Sequence, residues 1–199
     1  MTNGKGQDVD HTECFISVDV ETGGATPADY ALLSIGACLV DDPETTFYVE
    51  LQPEDKRSTT EALEVSKLSV DILKTMGEPP AEAMQRFADW VGEVVHEDHR
   101  AVFVGFNAVF DWMFVADYFE RYLGRNPFGY TALDIKSFAM GRLGSTWAGT
   151  SMKVLAPKYL SGRPLAHHAL SDAQDQAALF RALYAEPAHR RSDRIEDET

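Results

Sequence analysis

Cysteine is nearly absent: the 199-residue chain holds only Cys14 and Cys38, with no CxxC spacing. That excludes a disulfide framework and a thiolate zinc site. Each thiol lies in an apolar, strand-like run, where the expected role is that of a small buried hydrophobe. Long hydrophobic runs are missing too, so nothing in the sequence spans a bilayer. Residues 1–13 are polar and lack the apolar core of a signal peptide; the expectation is a cytoplasmic protein without a membrane partner. There is no internal repeat and no low-complexity tract. Positive charge is scarce: 18 Lys and Arg face 32 Asp and Glu, a net charge of −14. Proteins that grip long nucleic acids are usually basic, because phosphate neutralisation drives their affinity. The balance argues against tight duplex binding. It leaves room for chemistry at a strand end, where contacts are few and metal ions supply local positive charge. Most of the acidic residues are expected to be ordinary solvated surface.

What is present reads as one domain with a substantial core over 12–186, between polar segments 1–11 and 187–199 expected to be mobile tails. Residues 14–20 are β-branched and aromatic, with Cys14, Ile16, Val18 and Val20 forming one apolar face. Further strands are predicted over 32–40 and 45–51, joined by the turn Asp41-Asp42-Pro43, and over 101–106 and 130–134. Helices are predicted over 61–74 in short pieces, 80–95, 109–123, from 134 to about 143, 151–159 and 171–184. Three strands in a meander, followed by alternating helices and strands, give an α/β fold: a mixed five-stranded sheet with helices on both faces.

Three places could carry chemistry. Asp19 and Glu21 lie two apart on a strand and so point to one face. Side-by-side carboxylates in an otherwise apolar, central strand are costly unless a cation offsets them, and a hard divalent ion prefers oxygen ligands. The alternative is a strand end emerging into solvent, since so short a motif has many chance matches. Asn107-Ala108-Val109-Phe110-Asp111 follows an apolar strand, where ligands collect in α/β sheets. Its structural alternative is helix capping by Asn107, with Asp111 favouring the helix dipole. His167-His168-Ala169-Leu170-Ser171-Asp172-Ala173 places a histidine on a loop, suited to take a proton from water, and a carboxylate in the next helix's first turn. Alone, it would be two exposed histidines and a favourable N-terminal acid.

Taken together in this order, DxET, NxxFD and HxAxxDA resemble the proofreading-type 3′→5′ exonucleases, the DEDDh group of the RNase H-like superfamily, with some likeness to ribonuclease T and oligoribonuclease. The resemblance spans residues 14–184. Thr22, Asn107, Phe110, Asp111, His167, Ala169, Asp172 and Ala173 all match, which selects His167 over His168. The Leu32–Gly36 run is similar to the family's second strand. One position departs: many members carry histidine before the asparagine, where this chain has Phe106. That change is expected to touch substrate contacts rather than metals. Asp134 also matches a common family position, though capping the next helix is its expected role.

The resemblance implies an RNase H-like exonuclease fold and hydrolysis of single-stranded DNA or RNA 3′ ends to nucleoside 5′-monophosphates. It implies two Mg²⁺ or Mn²⁺ ions about 4 Å apart. Asp19 would bridge them, Glu21 and Asp172 would complete the tighter site, Asp111 would hold the second ion directly or through water, and His167 would be the general base. Thr22, Gly23, Leu63, Asn107 and Phe110 are expected to touch substrate, with Gly23 and Gly24 admitting backbone close to a terminal nucleotide. Trp112 and Trp147 are further stacking candidates, although core packing is the expectation for Trp112 and Phe114. Family likeness also suggests a homodimer. Rival readings are a proofreading subunit acting with a polymerase, a catalytically silent nucleic-acid-binding module, and a phosphodiesterase for dinucleotides.

Overall fold

A computed structural model describes residues 12–54, 57–160, 167–187 and 189. The expected tails, 1–11 and all of 187–199 except 187 and 189, lie outside the described residues. The chain runs β1 (Thr12–Thr22), β2 (Leu32–Leu39), β3 (Thr46–Glu50), α1 (Thr60–Ser66), α2 (Val70–Met76), α3 (Pro80–Val94), β4 (His99–Gly105), α4 (Ala108–Leu123), β5 (Ala132–Asp134), α5 (Ile135–Leu143), α6 (Met152–Tyr159) and α7 (Ala169–Ala185). The helical stretch foreseen over 61–74 is two short helices, each opened by a hydroxyl N-cap, Thr59 and Ser69.

The five strands form one mixed sheet in the order β3-β2-β1-β4-β5. The β1–β2 and β2–β3 pairs are antiparallel, and the β1–β4 and β4–β5 pairs are parallel. Strand β1 is therefore central, and helices cover both of its faces. On one face Ile16, Val18 and Val20 pack with α3 and α4 through Phe87, Phe114, Tyr118 and Phe119. On the other, Phe15 and Cys38 pack with α5, α6 and α7 through Ala139, Leu155, Leu179 and Phe180. Cys38 is fully buried and Cys14 half-buried, both as free thiols. Trp112 meets Phe103 edge-on at 5.3 Å, and Phe114 is fully buried, so both are core.

What positions the site is a splay between two strands. Strand β4 pairs with β1 only as far as Ser17–Val104 and ends at Gly105. Strand β1 runs on to Thr22, leaving the edge around Asp19, Val20 and Glu21 beyond β4's reach. The first turn of α4 enters that gap, and a crevice opens at the C-terminal ends of the parallel strands, where ligands collect in such sheets.

Candidate active site

Asp19, Glu21 and Asp172 each offer a carboxylate oxygen, all within 4.8 Å of one another. Strand alternation puts the first two on one face. The first turn of α7 brings Asp172, and that approach depends on Gly36. It lies opposite Asp19 in the β1–β2 ladder. A Cβ at Gly36 would sit 2.2 Å from the backbone of Ala169 and Leu170. Glycine is what lets the N-terminal turn of α7 close down on the sheet above Asp19.

Asp111 comes from the opposite layer, in the first turn of α4. Its Oδ1 accepts from the backbone N–H of Val20 at 3.1 Å, a donor that β4 is too short to satisfy. Asp111 thus reaches the cluster through the splayed edge without belonging to the tight trio.

The electrostatics are those of crowded, desolvated anions. Burial, then Asp111, Asp172 and Glu21, hold the Asp19 carboxyl well above the usual carboxylate range. Burial and then Asp172 push Glu21 up to about 7. Burial pushes Asp111 up to about 8, against the lowering pull of the Val20 amide. Among the described residues, no lysine or arginine stands with the groups that shift these three. An all-oxygen donor set of crowded, desolvated carboxylates fits a hard divalent cation.

Gln176 is a site residue that motif reading missed. It is buried, its Nε2 donates to Asp19 Oδ1 at 2.6 Å, and its Oε1 accepts from the Phe106 N–H at 2.9 Å. One amide on α7 therefore fixes the Asp19 carboxylate and ties it to the end of β4. The one available signal was its place four residues, one helical turn, after Asp172 on the same face.

His167 and His168 are both exposed, and the structure separates their roles. The imidazole of His168 stacks on Tyr48 at 4.7 Å and its backbone N-caps α7. His167 precedes it with a left-handed backbone, φ 52°. The helix starts at Ala169, two residues earlier than the sequence pattern suggested, because His168 already supplies the cap.

Asn107 is also left-handed, φ 62°, and exposed. Capping by its side chain, the structural alternative, does not occur. Asp134 replaces it: Oδ2 accepts from Ala108 N at 2.9 Å, while Oδ1 accepts from Ser137 N and caps α5 as expected. The Asn107 amide is left free of helix duty. Non-glycine residues held in the left-handed region tend to gather at functional sites, and here one precedes Asp111 by four residues and another precedes Asp172 by five.

Beside Glu21 lies a cleft of about 410 Å³, lined by Thr22, Gly24, Tyr30, Ala62, Val65 and Phe110 among others. Phe110 is half-buried against Phe114 at its edge. Thr22 spends its hydroxyl on Gly24 O at 2.8 Å, shaping the loop. The glycines pack protein against protein: a Cβ at Gly23 would meet Ser58 at 2.7 Å, and one at Gly24 the Tyr30 ring at 2.4 Å. Leu63 turns out to pack on the small cluster of Ala31, Leu33 and Leu73, and α1 presents Ala62 and Val65 to the cleft instead.

With this geometry in place, the sequence profile of the Rv2179c-like 3′-5′ exoribonuclease domain matches residues 14–184. The chain belongs to that family. It is a 3′-5′ exonuclease of the DEDDh type. It is similar to the 3′-5′ DNA exonuclease Cap18 of Escherichia coli, 45% identical over 171 residues that cover 86% of this chain and 91% of Cap18. The fold resembles E. coli exonuclease I in complex with a dT13 oligonucleotide, at TM-score 0.69 and 18% identity, covering 88% of this chain and 42% of that enzyme. It also resembles S. pombe Pop2p in its Mg²⁺- and Mn²⁺-bound form, at TM-score 0.65 and 17% identity, covering 85% and 82%. Among the described residues, no helix is long and apolar enough to cross a membrane.

Proposed function

We propose that this exonuclease, as a single domain over residues 12–186, trims single-stranded DNA or RNA from the 3′ end and releases nucleoside 5′-monophosphates. The observation that carries the reading is the cation-seeking trio Asp19, Glu21 and Asp172, with Asp111 behind it. Asp19, Glu21 and Asp172 would hold one divalent ion, Mg²⁺ or Mn²⁺, and Asp111 with Asp19 would hold a second. When bound, such ions would supply Lewis acidity to the reaction. His167 takes the proton from that water at a ring nitrogen. The water oxygen bonds to phosphorus, the bond to the 3′-oxygen of the penultimate nucleotide breaks, and that oxygen takes a proton from solvent to leave as a hydroxyl, while His167 gives its proton back to solvent. Gln176 keeps Asp19 in position through the step. Thr22, Gly23 and Gly24 shape the loop around the terminal nucleotide, Phe110 packs on its base, and the exposed Asn107 amide reaches its sugar or phosphate. Leu63 supports α1 from behind.

The family profile is named for RNA and Cap18 for DNA, so the test has an arm for each. Matched 5′-labelled DNA, RNA and a dinucleotide are incubated with Mg²⁺, Mn²⁺ or EDTA, beside Asp19→Asn and His167→Ala. The expected result is a stepwise ladder that EDTA and Asp19→Asn abolish and that His167→Ala slows about 100-fold or more. Parent-like cleavage by His167→Ala would sink the base assignment. A folded parent that cleaves none of the three substrates would sink the reading. The same proposal carries the cytoplasmic address and the homodimer suggested by family likeness, which cell fractionation and light scattering test.

A further inference from the structure

Lys136 is out of place on stability grounds. It stands in the first turn of α5, where the helix dipole disfavours a cation. It makes no ion pair among the described residues, in a chain with 32 acidic side chains. Its neighbour Asp134 has both oxygens engaged, by Ser137 and by Ala108 N. The ammonium is held instead by two rings, 4.2 Å from the centroid of Trp147 and 5.8 Å from that of Phe106. Trp147 is 53% exposed, the most exposed tryptophan among the described residues.

The location of this group matters. Phe106 follows the last residue of β4, and its N–H is the one held by Gln176, which also holds Asp19. An unbroken series of contacts therefore runs from the Asp19 carboxylate through Gln176, Phe106 and Lys136 to Trp147. The cleft lined by Thr22, Gly24 and Phe110 flanks the carboxylates on the side of α1, and the aromatic–lysine group flanks them on the side of β4 and β5. With a terminal nucleotide in the first and the scissile phosphate at the carboxylates, the second offers the adjoining strand a way out.

We propose that Lys136 and Trp147, seated on Phe106, form a platform that holds the single strand upstream of the scissile phosphate. The indole stacks on a base and the ammonium neutralises a phosphate. Stacking accepts any base, and one cation gives a shallow electrostatic grip, which suits an acidic trimming enzyme. This rests on the exonuclease reading above.

The test separates strand grip from chemistry. Binding of a fluorescein-labelled oligothymidylate of about eight nucleotides is followed by anisotropy in EDTA, with the Asp19→Asn protein as background. Trp147→Ala should weaken binding about tenfold, and Trp147→Phe should restore most of it. Lys136→Ala should flatten the slope of log affinity against log salt by about 0.7, and Lys136→Arg should restore it. With Asp19 intact and Mn²⁺ present, both alanine variants should raise KM for the oligomer. They should leave hydrolysis of the p-nitrophenyl ester of thymidine 5′-monophosphate, which has no upstream strand, unchanged. Equal loss on both substrates, or parent-like affinity and salt slope, overturns the platform and leaves the exonuclease standing. A parent that hydrolyses neither substrate overturns the exonuclease reading, and the metal-free binding arm still decides the platform.

Discussion

The protein gathers carboxylates in two places and treats them in opposite ways. At the loop after β3, Glu54 accepts from Arg121 Nη1 at 2.6 Å, from Tyr118 OH at 2.6 Å and from Tyr122 OH at 2.8 Å. Arg121 also pairs with Asp117 at 2.7 Å, and Tyr118 OH in turn accepts from Leu32 N. Every charge there is met from within the chain. At the crevice, Asp19, Glu21, Asp111 and Asp172 crowd together: Asp19 takes the Gln176 amide and Asp111 the Val20 N–H, while burial and neighbouring carboxylates hold Asp19, Glu21 and Asp111 above the usual carboxylate range. The first arrangement is finished on folding and braces α4 against the strands. The second stores crowded negative charge that a positive ligand would relieve, which is what a binding site is in electrostatic terms.

The sharpest way to break the contrast is to pry the crevice open. Gly36→Ala places a methyl group where the backbone of Ala169 and Leu170 lies, so α7 must move and carry Asp172 and His167 with it. Cleavage should fall at least about 100-fold, since misplacement by about 1 Å is enough for that, with circular dichroism still native. Parent-like activity would show that α7 is not held where the geometry places it.

The completed cluster should answer in stability rather than activity. Glu54→Ala removes one of the two carboxylates that Arg121 pairs with and the Glu54 acceptor of the Tyr118 and Tyr122 hydroxyls. The expected loss is about 2 kcal/mol, read by urea unfolding, with the folded fraction cleaving at the parent rate. A loss of activity out of proportion to unfolding would mean that the two regions are coupled.

The smallest effect is a pH slope. Glu21 rises from its ordinary 4.5 to about 7, and Asp111 from 3.8 to about 8, on folding. A carboxyl whose folded value is raised stabilises fully below its unfolded value and loses that contribution as pH climbs through the folded one. In EDTA, then, stability should fall between about pH 4 and pH 8. Mn²⁺ should flatten the decline at its upper end, where the carboxylates are charged, and Asp19→Asn should reduce it. A flat profile in EDTA would show that the crevice anions do not repel as placed.

Much of this was legible from the chain alone, for reasons that are local. Alternation along β1 set Asp19 and Glu21 on one face whatever the rest of the fold did. Apolar patterning and turn residues placed the five strands and the helices to within a few residues. The resemblance carried by DxET and HxAxxDA pointed to Asp19, Glu21 and Asp172, which the structure brings together. Where local rules compete, they misled. Asn107 looked like a cap, but Asp134, distant in sequence, took the Ala108 N–H. Gly23 and Gly24 are also required by packing, since a side chain there would meet Ser58 or Tyr30. Leu63 packs in part on Ala31, Leu33 and Leu73.

The sequence by itself determined which groups can bind a cation and which strand face carries the first two, because those follow from side-chain chemistry and a two-residue repeat. Only the tertiary structure decided that Gly36 admits α7, that Gln176 holds Asp19, that the short β4 leaves Val20 for Asp111, and that Lys136 rests between Phe106 and Trp147. Each of these joins residues far apart in the chain, and their meeting is set by how layers pack, which no local pattern encodes.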